Sequence, residues 1–202
     1  MKNILVTQRV IYIKKYNELR DSIDQNLISW IMKLNINPIL VPNTLIKEKK
    51  GLERFVKKNK PHGLILTGGD DFGKFLMRDK TENYLLNFFI SKKKPVFGIC
   101  RGMQIINKKF KGRLFKQKGH VGKKHRIDEN TVKKGFPKFI NSYHKFVIRK
   151  LPKNFISLVT LGDNSIESFK HKKMKIEACM WHPERDKKFC HKYIKRVKNF
   201  FG

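Results

Sequence analysis

Acidic residues are scarce in this sequence. Only 16 of its 202 residues are Asp or Glu, against 47 Lys or Arg, so the formal net charge is +31. A balance of this kind can indicate binding to nucleic acids or membrane surfaces. The lysines, however, are spread along the whole chain, without a basic tail or an RNA-binding motif. We therefore predict a lysine-rich solvated surface with no nucleic-acid or membrane partner. Its positive field would still attract an anionic small molecule.

Cysteines are also few, and long apolar runs are absent. No run approaches the about 20 residues that span a bilayer. Residues 1–6 form a strand-like segment with no small-residue cleavage site after it, so we predict a cytoplasmic protein without a signal peptide. Of the three cysteines, Cys179 and Cys190 are predicted to be free thiols. No Cys/His spacing indicates a zinc site, because His120 and His125 have no cysteines paired with them.

The hydrophobic pattern predicts the fold class. Apolar runs of strand length alternate with helical patterns, as is typical of a parallel α/β sheet. The predicted strands cover residues 4–7, 38–41, 63–67 and 96–99, and the predicted helices cover 21–34, 45–58, 81–91, 101–110 and 187–201. Between residues 112 and 180 short strands and turns predict a β-rich excursion. We expect one domain, residues 1–202, with an open, mostly parallel sheet and helices on both faces.

Residues 96–104 (VFGICRGMQ) are the most informative stretch. An apolar strand runs into Gly98-x-Cys100-x-Gly102, and a helical pattern follows. Glycines at both positions permit a sharp turn, which would leave the thiol exposed above the sheet. A helix N-terminus favours the thiolate over the thiol, and the backbone N–H of Arg101 would point toward an oxyanion. On its own, the motif fits a buried structural cysteine equally well.

A His-Pro-Glu tripeptide after the apolar run at residues 176–180 decides between these interpretations. His182 could accept the proton of Cys100, and Glu184 could hold the imidazole tautomer. In this chain order the two motifs resemble the class I glutamine amidotransferase-like superfamily, whose triad is Cys…His-x-Glu and whose fold is flavodoxin-like. A third motif at residues 66–71 (LTGGDD) lies where that family places its other oxyanion loop. The resemblance thus covers nearly the whole chain.

Local features resemble the γ-glutamyl hydrolase branch of this superfamily, which includes γ-glutamyl-γ-aminobutyrate hydrolase. Arg101 follows the nucleophile, and Arg9 lies in an N-terminal segment similar to that branch. A second segment resembles the branch's Asn-Ser-x-His-His, which lines the glutamyl pocket: Asn141, Ser142, Tyr143 and His144. The second His of that pattern is Lys145 here, a departure on the leaving-group side of the pocket. Simpler interpretations remain open, because Arg9 fits a solvated loop charge and residues 141–142 fit a turn.

The resemblance implies a mechanism. The Cys100 thiolate would attack the side-chain carbonyl of a γ-glutamyl amide, while the N–H groups of Gly69 and Arg101 hold the oxyanion. His182, oriented by Glu184, would protonate the leaving nitrogen and then activate water to hydrolyse the γ-glutamyl thioester. No metal or organic cofactor is implied. The implied substrate-binding residues are Gly68, Gln104, Asn141, Ser142, Tyr143, His144 and Arg9.

The net charge favours an anionic leaving group. Arg9, Arg101 and Lys145 would hold phosphates, as in γ-glutamyl-CDP-amidate, whose hydrolysis to glutamate belongs to bacterial capsule assembly in the families that the chain resembles. A lysine-rich proteome would, however, give the same charge without any link to the substrate. The alternative is a glutaminase subunit that delivers ammonia to a synthase partner. Release of free glutamate without a partner distinguishes the two.

Overall fold

The structure is a computed structural model that describes residues 1–202. The strands are β1 (Lys2–Thr7), β2 (Arg9–Ile13), β3 (Glu18–Ser22), β4 (Ile36–Val41), β5 (Gly63–Leu66), β6 (Val96–Ile99), β7 (Phe115–Lys116), β8 (Val121–Arg126), β9 (Phe139–Tyr143), β10 (Phe146–Val147), β11 (Phe155–Thr160), β12 (Ile166–His171) and β13 (Ile176–Cys179). The α-helices are α1 (Gln25–Lys33), α2 (Gly51–Asn59), α3 (Leu76–Ser91), α4 (Arg101–Lys109), α5 (Glu129–Lys133) and α6 (His191–Phe201). None of the helices has the length and apolar character that crossing a bilayer requires.

A seven-stranded sheet forms the centre of the molecule, in the order β11-β12-β13-β6-β5-β1-β4. The five strands from β13 to β4 are parallel, and β12 and β11 extend the sheet in antiparallel pairing. The mostly parallel α/β sheet that the sequence predicted is therefore confirmed. The β-rich excursion is confirmed as well, because α5 is the only helix between β7 and β13.

Helices cover both faces of this sheet, and the alternation of side chains along β1 shows how. Ile4 and Val6 point into one apolar core with side chains of α1 and α6, such as Trp30. Leu5 points to the opposite face, into a second core with α2, α3 and α4. Successive side chains of a strand point to opposite faces, so a fully apolar strand must be buried on both sides.

Several element boundaries differ from the predicted ones. The first helix begins at Gln25 rather than residue 21, because residues 18–22 pair with β2 and the Asp24 carboxylate caps the helix by accepting from the Asn26 N–H at 2.9 Å. The predicted helix over 45–58 is split into a 3-10 turn at Asn43–Ile46 and α2. Helix α3 begins five residues earlier than predicted, and α6 begins four residues later.

The parallel strands end at one edge of the sheet, where the predicted site residues meet. Leu66 of β5 lies beside Gly98 of β6, and Ile99 lies beside Cys179 of β13. The loops that follow these three strands carry the Gly68-Gly69 pair, Cys100 and His182. This is the edge where open α/β sheets bind their ligands.

Candidate active site

The turn between β6 and α4 places Cys100 at the base of the candidate site. Cys100 has φ 50° and ψ −104°, a conformation that residues other than glycine rarely adopt. A Cβ on Gly98 would lie 2.7 Å from the Gly102 backbone, and one on Gly102 would lie 2.1 Å from the Leu66 carbonyl oxygen. The tight turn is confirmed, and both glycines are required because the strand and the helix approach so closely.

Cys100 is buried, with only 6% of the residue exposed. The prediction of a thiol exposed above the sheet is therefore wrong. His182 and Gly68 cover the turn: a Cβ on Gly68 would lie 2.6 Å from His182 Cε1 and 3.5 Å from Cys100 Cβ. The absent side chain at Gly68 leaves the space that the imidazole occupies.

His182 lies between the end of β13 and a 3-10 turn at Pro183–Arg185. Its Nδ1 is 2.6 Å from Oε1 of Glu184, and both residues are buried. Asn141 of β9 holds the main chain of His182 on both sides. The Asn141 side-chain amide donates to the His182 carbonyl at 2.7 Å, and the His182 N–H donates to Asn141 Oδ1 at 2.9 Å. The imidazole is thus fixed both by its side-chain partner and through its backbone.

The environment of His182 favours the imidazolium form. Burial acts to lower the pKa of His182, but hydrogen bonds to Cys100 and Glu184 outweigh it and raise the pKa to about 9. A cationic imidazole beside a sulfur atom is the pairing of proton donor and nucleophile that covalent catalysis by cysteine uses. The arrangement can therefore supply a nucleophile at Cys100 and a proton donor at His182.

The loop after β5 contributes two glycines with different constraints. Gly69 has φ 119°, which favours glycine, and a Cβ there would lie 2.7 Å from the Arg78 guanidinium. Arg78 donates to the carbonyl oxygens of Thr67 at 3.1 Å and Gly68 at 2.7 Å. In a trans peptide the C=O and the following N–H point in opposite directions. The bond to the Gly68 carbonyl therefore turns the Gly69 N–H away from Arg78, as an oxyanion donor requires.

The Arg101 side chain does not face the pocket. It is buried and forms ion pairs with Glu82 and Asp79 of α3, and its guanidinium lies 4.5 Å from the centre of the Phe72 ring. The expectation that this side chain holds substrate phosphates is wrong, because the acidic residues of α3 neutralise it inside the protein. Its backbone N–H remains available for the predicted oxyanion role, because the first residue of a helix has no intrahelical acceptor.

A small, partly open pocket lies beside His182 and Glu184. Its lining residues are Arg9, Ser22, Ile23, Asp24, Leu27, Thr67, Gly68, Gly69, His182, Glu184 and Arg185. Arg9 was predicted to bind substrate, and its buried Nε has no hydrogen-bond partner. Arg185 lies over the Tyr143 ring at 4.7 Å. Arg9 therefore has an unused hydrogen-bond donor at the pocket, and the Arg185 side chain is partly exposed there. Guanidinium groups with free N–H donors can bind an anion.

Apart from Arg9 and Gly68, the predicted substrate-binding residues do not line this pocket. Gln104 is buried, with its side-chain amide 3.7 Å from the Met180 sulfur. Ser142 and His144 are buried and hydrogen-bond to each other at 3.0 Å. The Asn141 side-chain amide is hydrogen-bonded to the His182 backbone. The polar groups of Gln104, Asn141, Ser142 and His144 thus contact other parts of the protein, which argues against a substrate-binding role for them. The exposed Tyr143 packs its ring edge-on to His182, with centroids 6.0 Å apart.

Two residues of the site were missed by sequence reasoning. Arg185 directly follows the His-Pro-Glu motif, a position that could have indicated it. Arg78 lies four residues before Glu82, to which its Nε donates at 2.9 Å, and this spacing is the signal for a helical ion pair. Outside the pocket, His120, His144 and Glu167 form a cluster of three side chains that could hold a metal ion.

Comparison with known proteins identifies the family. The profile of the glutamine amidotransferase class-I family matches residues 17–197. The chain belongs to this family. It is 31% identical over 188 residues to a gamma-glutamyl-CDP-amidate hydrolase of Campylobacter jejuni, a match that covers 90% of this chain and 89% of that protein. It is 28% identical over 158 residues to a glutamine-hydrolyzing GMP synthase subunit of Thermococcus kodakarensis, covering 75% of this chain and 78% of that protein.

A solved structure supports the fold of this class I amidotransferase. A glutamine amidotransferase from Thermotoga maritima superposes with a TM-score of 0.64, at 16% sequence identity, covering 98% of this chain and 83% of that one. At this identity the likeness concerns the fold alone. The seven-stranded sheet that carries Cys100 and His182 at its edge therefore belongs to a fold that glutamine amidotransferases use.

Proposed function

We propose that the protein is a cysteine-dependent hydrolase that cleaves a γ-glutamyl amide and releases L-glutamate. The proposal rests on the environment of His182. Its Nδ1 lies 2.6 Å from Oε1 of Glu184, its ring lies against Cys100, and its pKa is raised to about 9. A nucleophile, a base and an orienting carboxylate in contact form the arrangement that amide hydrolysis through a covalent intermediate needs. The hydrolase relative from Campylobacter jejuni supports the same reaction class.

The reaction then proceeds in two steps. The Cys100 thiolate adds to the γ-carbonyl carbon, and the N–H groups of Gly69 and Arg101 stabilise the oxyanion. The imidazolium of His182 gives its proton to the leaving nitrogen, so that the C–N bond breaks and a γ-glutamyl thioester remains. Neutral His182 then takes a proton from water, whose oxygen attacks the thioester and releases glutamate and the thiolate. Glu184 holds the His182 Nδ1–H throughout.

The proposed substrate carries an anionic, nucleotide-bearing amine, such as that of γ-glutamyl-CDP-amidate. Arg9 and Arg185 flank the pocket beside His182, and guanidinium groups bind phosphates through paired hydrogen bonds. These two residues take over the role that the sequence had assigned in part to the Arg101 side chain. The Campylobacter jejuni relative, matched over nine tenths of this chain, acts by its name on such a compound.

A glutaminase subunit is the second candidate. The match to the GMP synthase subunit covers three quarters of this chain, and the name of that protein specifies glutamine hydrolysis. A protein of this kind would deliver ammonia from Cys100 to a synthase partner. Turnover of glutamine would then depend on that partner, whereas a stand-alone hydrolase of residues 1–202 needs none.

The experiment is a comparison of glutamate release from γ-glutamyl-CDP-amidate, glutamine and γ-glutamyl-γ-aminobutyrate by the purified chain alone. We expect the highest kcat/KM for the nucleotide amidate, and no release by Cys100→Ala with any substrate. Substantial glutamate release by Cys100→Ala would show that Cys100 is not the nucleophile. Preference for glutamine, strengthened by a synthase, would instead support the second candidate.

A further inference from the structure

Three buried side chains from separate segments meet where the β8–β9 ribbon packs against the central sheet. His120 precedes β8, His144 follows β9, and Glu167 belongs to β12. Their exposed fractions are 2%, 3% and 1%. One atom of each, a ring nitrogen or a carboxylate oxygen, lies within 4.8 Å of the other two. The proposed hydrolase reaction uses none of the three.

Hydrogen bonds on the outer side of the cluster fix both histidine tautomers. His120 Nε2 lies 2.9 Å from a carboxylate oxygen of Asp163, and His144 Nδ1 lies 2.9 Å from the carbonyl oxygen of Phe146. A carboxylate and a carbonyl accept, so each of these ring nitrogens carries its proton. In neutral rings the inner nitrogens, His120 Nδ1 and His144 Nε2, then present lone pairs. They face the Glu167 carboxylate at 3.8 Å and 3.5 Å.

With both rings neutral, no proton lies between these inner atoms. His120 Nδ1 and Glu167 Oε2 are buried without a hydrogen-bond partner. The Ser142 hydroxyl donates to the carbonyl of His120, so its oxygen, 3.0 Å from His144 Nε2, adds a further lone pair. Acceptors that converge in a buried space repel one another unless a cation lies among them.

The buried negative charge of Glu167 also calls for a cation at this place. Among the other buried glutamates, Glu82 is paired with Arg78, Glu177 with Arg196, and Glu184 with His182 at 2.6 Å. The charged partners of Glu167 within 4.0 Å are the two histidines alone. A buried carboxylate needs a compensating cation, and here the surrounding groups are nitrogen and oxygen ligands.

We propose that His120 Nδ1, His144 Nε2 and the Glu167 carboxylate bind a divalent transition-metal ion of the zinc class. Zinc lies about 2.0–2.2 Å from such ligands, so tetrahedral ligands stand about 3.4 Å apart. The observed separations are 3.5 Å and 3.8 Å, to the two oxygens of the Glu167 carboxylate, so a small inward movement of the three side chains would bring them to this spacing. Metal-ligating histidines usually donate their other N–H to a carboxylate or a backbone carbonyl, as the outer bonds to Asp163 and Phe146 do.

The ion would pin the β8–β9 ribbon to β12. The same ribbon carries Asn141, whose side chain holds the His182 backbone. In this proposal the ion has a structural role and acts on the catalytic residues only through the ribbon. Its ligands come from three distant segments, so no short Cys/His spacing could have indicated it.

The test uses the full chain in a Cys100→Ala background, which removes the catalytic thiol as a competing ligand. The protein is treated with chelator, dialysed and titrated with Zn²⁺, and bound metal per chain is measured by mass spectrometry. We expect one tightly bound Zn²⁺ per chain and a rise in the melting temperature. Bound Co²⁺ should give tetrahedral visible bands without a thiolate charge-transfer band, because no cysteine belongs to the site.

Two variants and a control locate the ion. Glu167→Gln should abolish the Zn²⁺-dependent rise in melting temperature, and Asp163→Asn, outside the ligand set, should weaken binding about 10–100-fold. His62→Gln removes an exposed histidine and should bind Zn²⁺ like the parent. Should Glu167→Gln fail to fold, Asp163→Asn still decides. The proposal would be overturned if the protein bound no stoichiometric Zn²⁺, or if all three variants bound Zn²⁺ with equal affinity. The charge of Glu167 would then be balanced by protonated histidines.

Discussion

Asn141 forms two hydrogen bonds with the main chain of His182, one as donor and one as acceptor. The Asn141 amide donates to the His182 carbonyl at 2.7 Å, and its oxygen accepts the His182 N–H at 2.9 Å. A side-chain amide in this position imitates the pairing of a neighbouring strand. It fixes the residue that must reach Cys100, although Asn141 itself belongs to the ribbon and not to the central sheet.

Asn141→Ala should therefore lower kcat and leave KM nearly unchanged. Loss of both bonds frees the His182 backbone, and a displacement of about 1 Å at a reacting group costs about 100-fold in rate. Steady-state kinetics measures the two parameters separately, with the exposed Asn130→Ala as the control that should behave like the parent. A rise in KM with unchanged kcat would instead restore the substrate-binding role that the sequence had suggested.

Sequence reasoning found the motifs because their chemistry requires fixed local spacing. Gly98 and Gly102 bracket Cys100 since the strand and helix touch there, and His182 and Glu184 are close neighbours in the chain. What it missed depends on contacts between distant segments. The direction of the Arg101 side chain is set by Glu82 and Asp79 on another helix, and no local pattern around residue 101 encodes that choice.

The same reason explains the burial of Cys100. A sharp turn predicts that the side chain leaves the sheet, but not that His182, which follows β13, will cover it. The helix boundaries differ for a similar reason: residues 21 and 22 fit a helical pattern, yet pairing with the β2 strand outweighs local propensity. Tertiary contacts decided each of these cases.

Cys100 should react with iodoacetamide far faster than Cys179. All three cysteines are free, but Cys179 has no exposed surface, and burial raises its pKa well above the usual value. The thiol, unlike the thiolate, is a poor nucleophile. Mass mapping of alkylated peptides at partial modification measures the order, and loss of glutamate release should follow Cys100 labelling alone. Inactivation that tracks Cys179 would contradict the assignment.

The rate should fall on the alkaline side as His182 loses its proton. Despite burial, Cys100 and Glu184 raise the pKa of His182 from 6.5 to about 9, so the imidazolium that we propose as the proton donor persists through neutral pH and disappears above about pH 9. The raised pKa also adds to the free energy of unfolding. This contribution is fully present below pH 6.5 and is lost as the pH rises through 9. A pH profile of kcat/KM tests this. Glu184→Gln should keep more activity than His182→Asn and should move the alkaline limb to lower pH.

Glu82→Gln should destabilise the fold by about 3 kcal/mol, because it leaves Arg78 and Arg101 buried with reduced compensation. Glu82 also accepts from the Thr7 hydroxyl at 3.1 Å, so one residue joins β1 to α4 and, through Arg78, to the loop after β5. Urea unfolding measures the loss. The matched control is Glu18→Gln, whose exposed pair with Arg20 should leave the unfolding midpoint unchanged. Equal effects of the two variants would contradict a buried network.

Arg9→Gln and Arg185→Gln should each weaken the use of a nucleotide-bearing substrate more than the use of glutamine. Both guanidinium groups line the pocket beside His182, and the buried Nε of Arg9 has no partner within the protein. A charge-assisted hydrogen bond contributes about 1.5–3 kcal/mol, so kcat/KM for γ-glutamyl-CDP-amidate should fall about 10-fold or more. The exposed Arg54→Gln removes one positive charge without touching the pocket and serves as the control.

Salt separates binding in the pocket from attraction by the whole surface. Raising the ionic strength should lower kcat/KM for the nucleotide substrate in the parent and in Arg54→Gln, because the net charge of +31 steers anions from a distance. The loss caused by Arg9→Gln should persist at high salt, since a buried contact is screened much less than a surface charge. If Arg9→Gln and Arg185→Gln impair glutamine and the nucleotide amidate equally, the arginines bind the glutamyl carboxylate common to both. The anionic leaving group would then lose its structural support, and the excess of lysine would be a matter of composition alone.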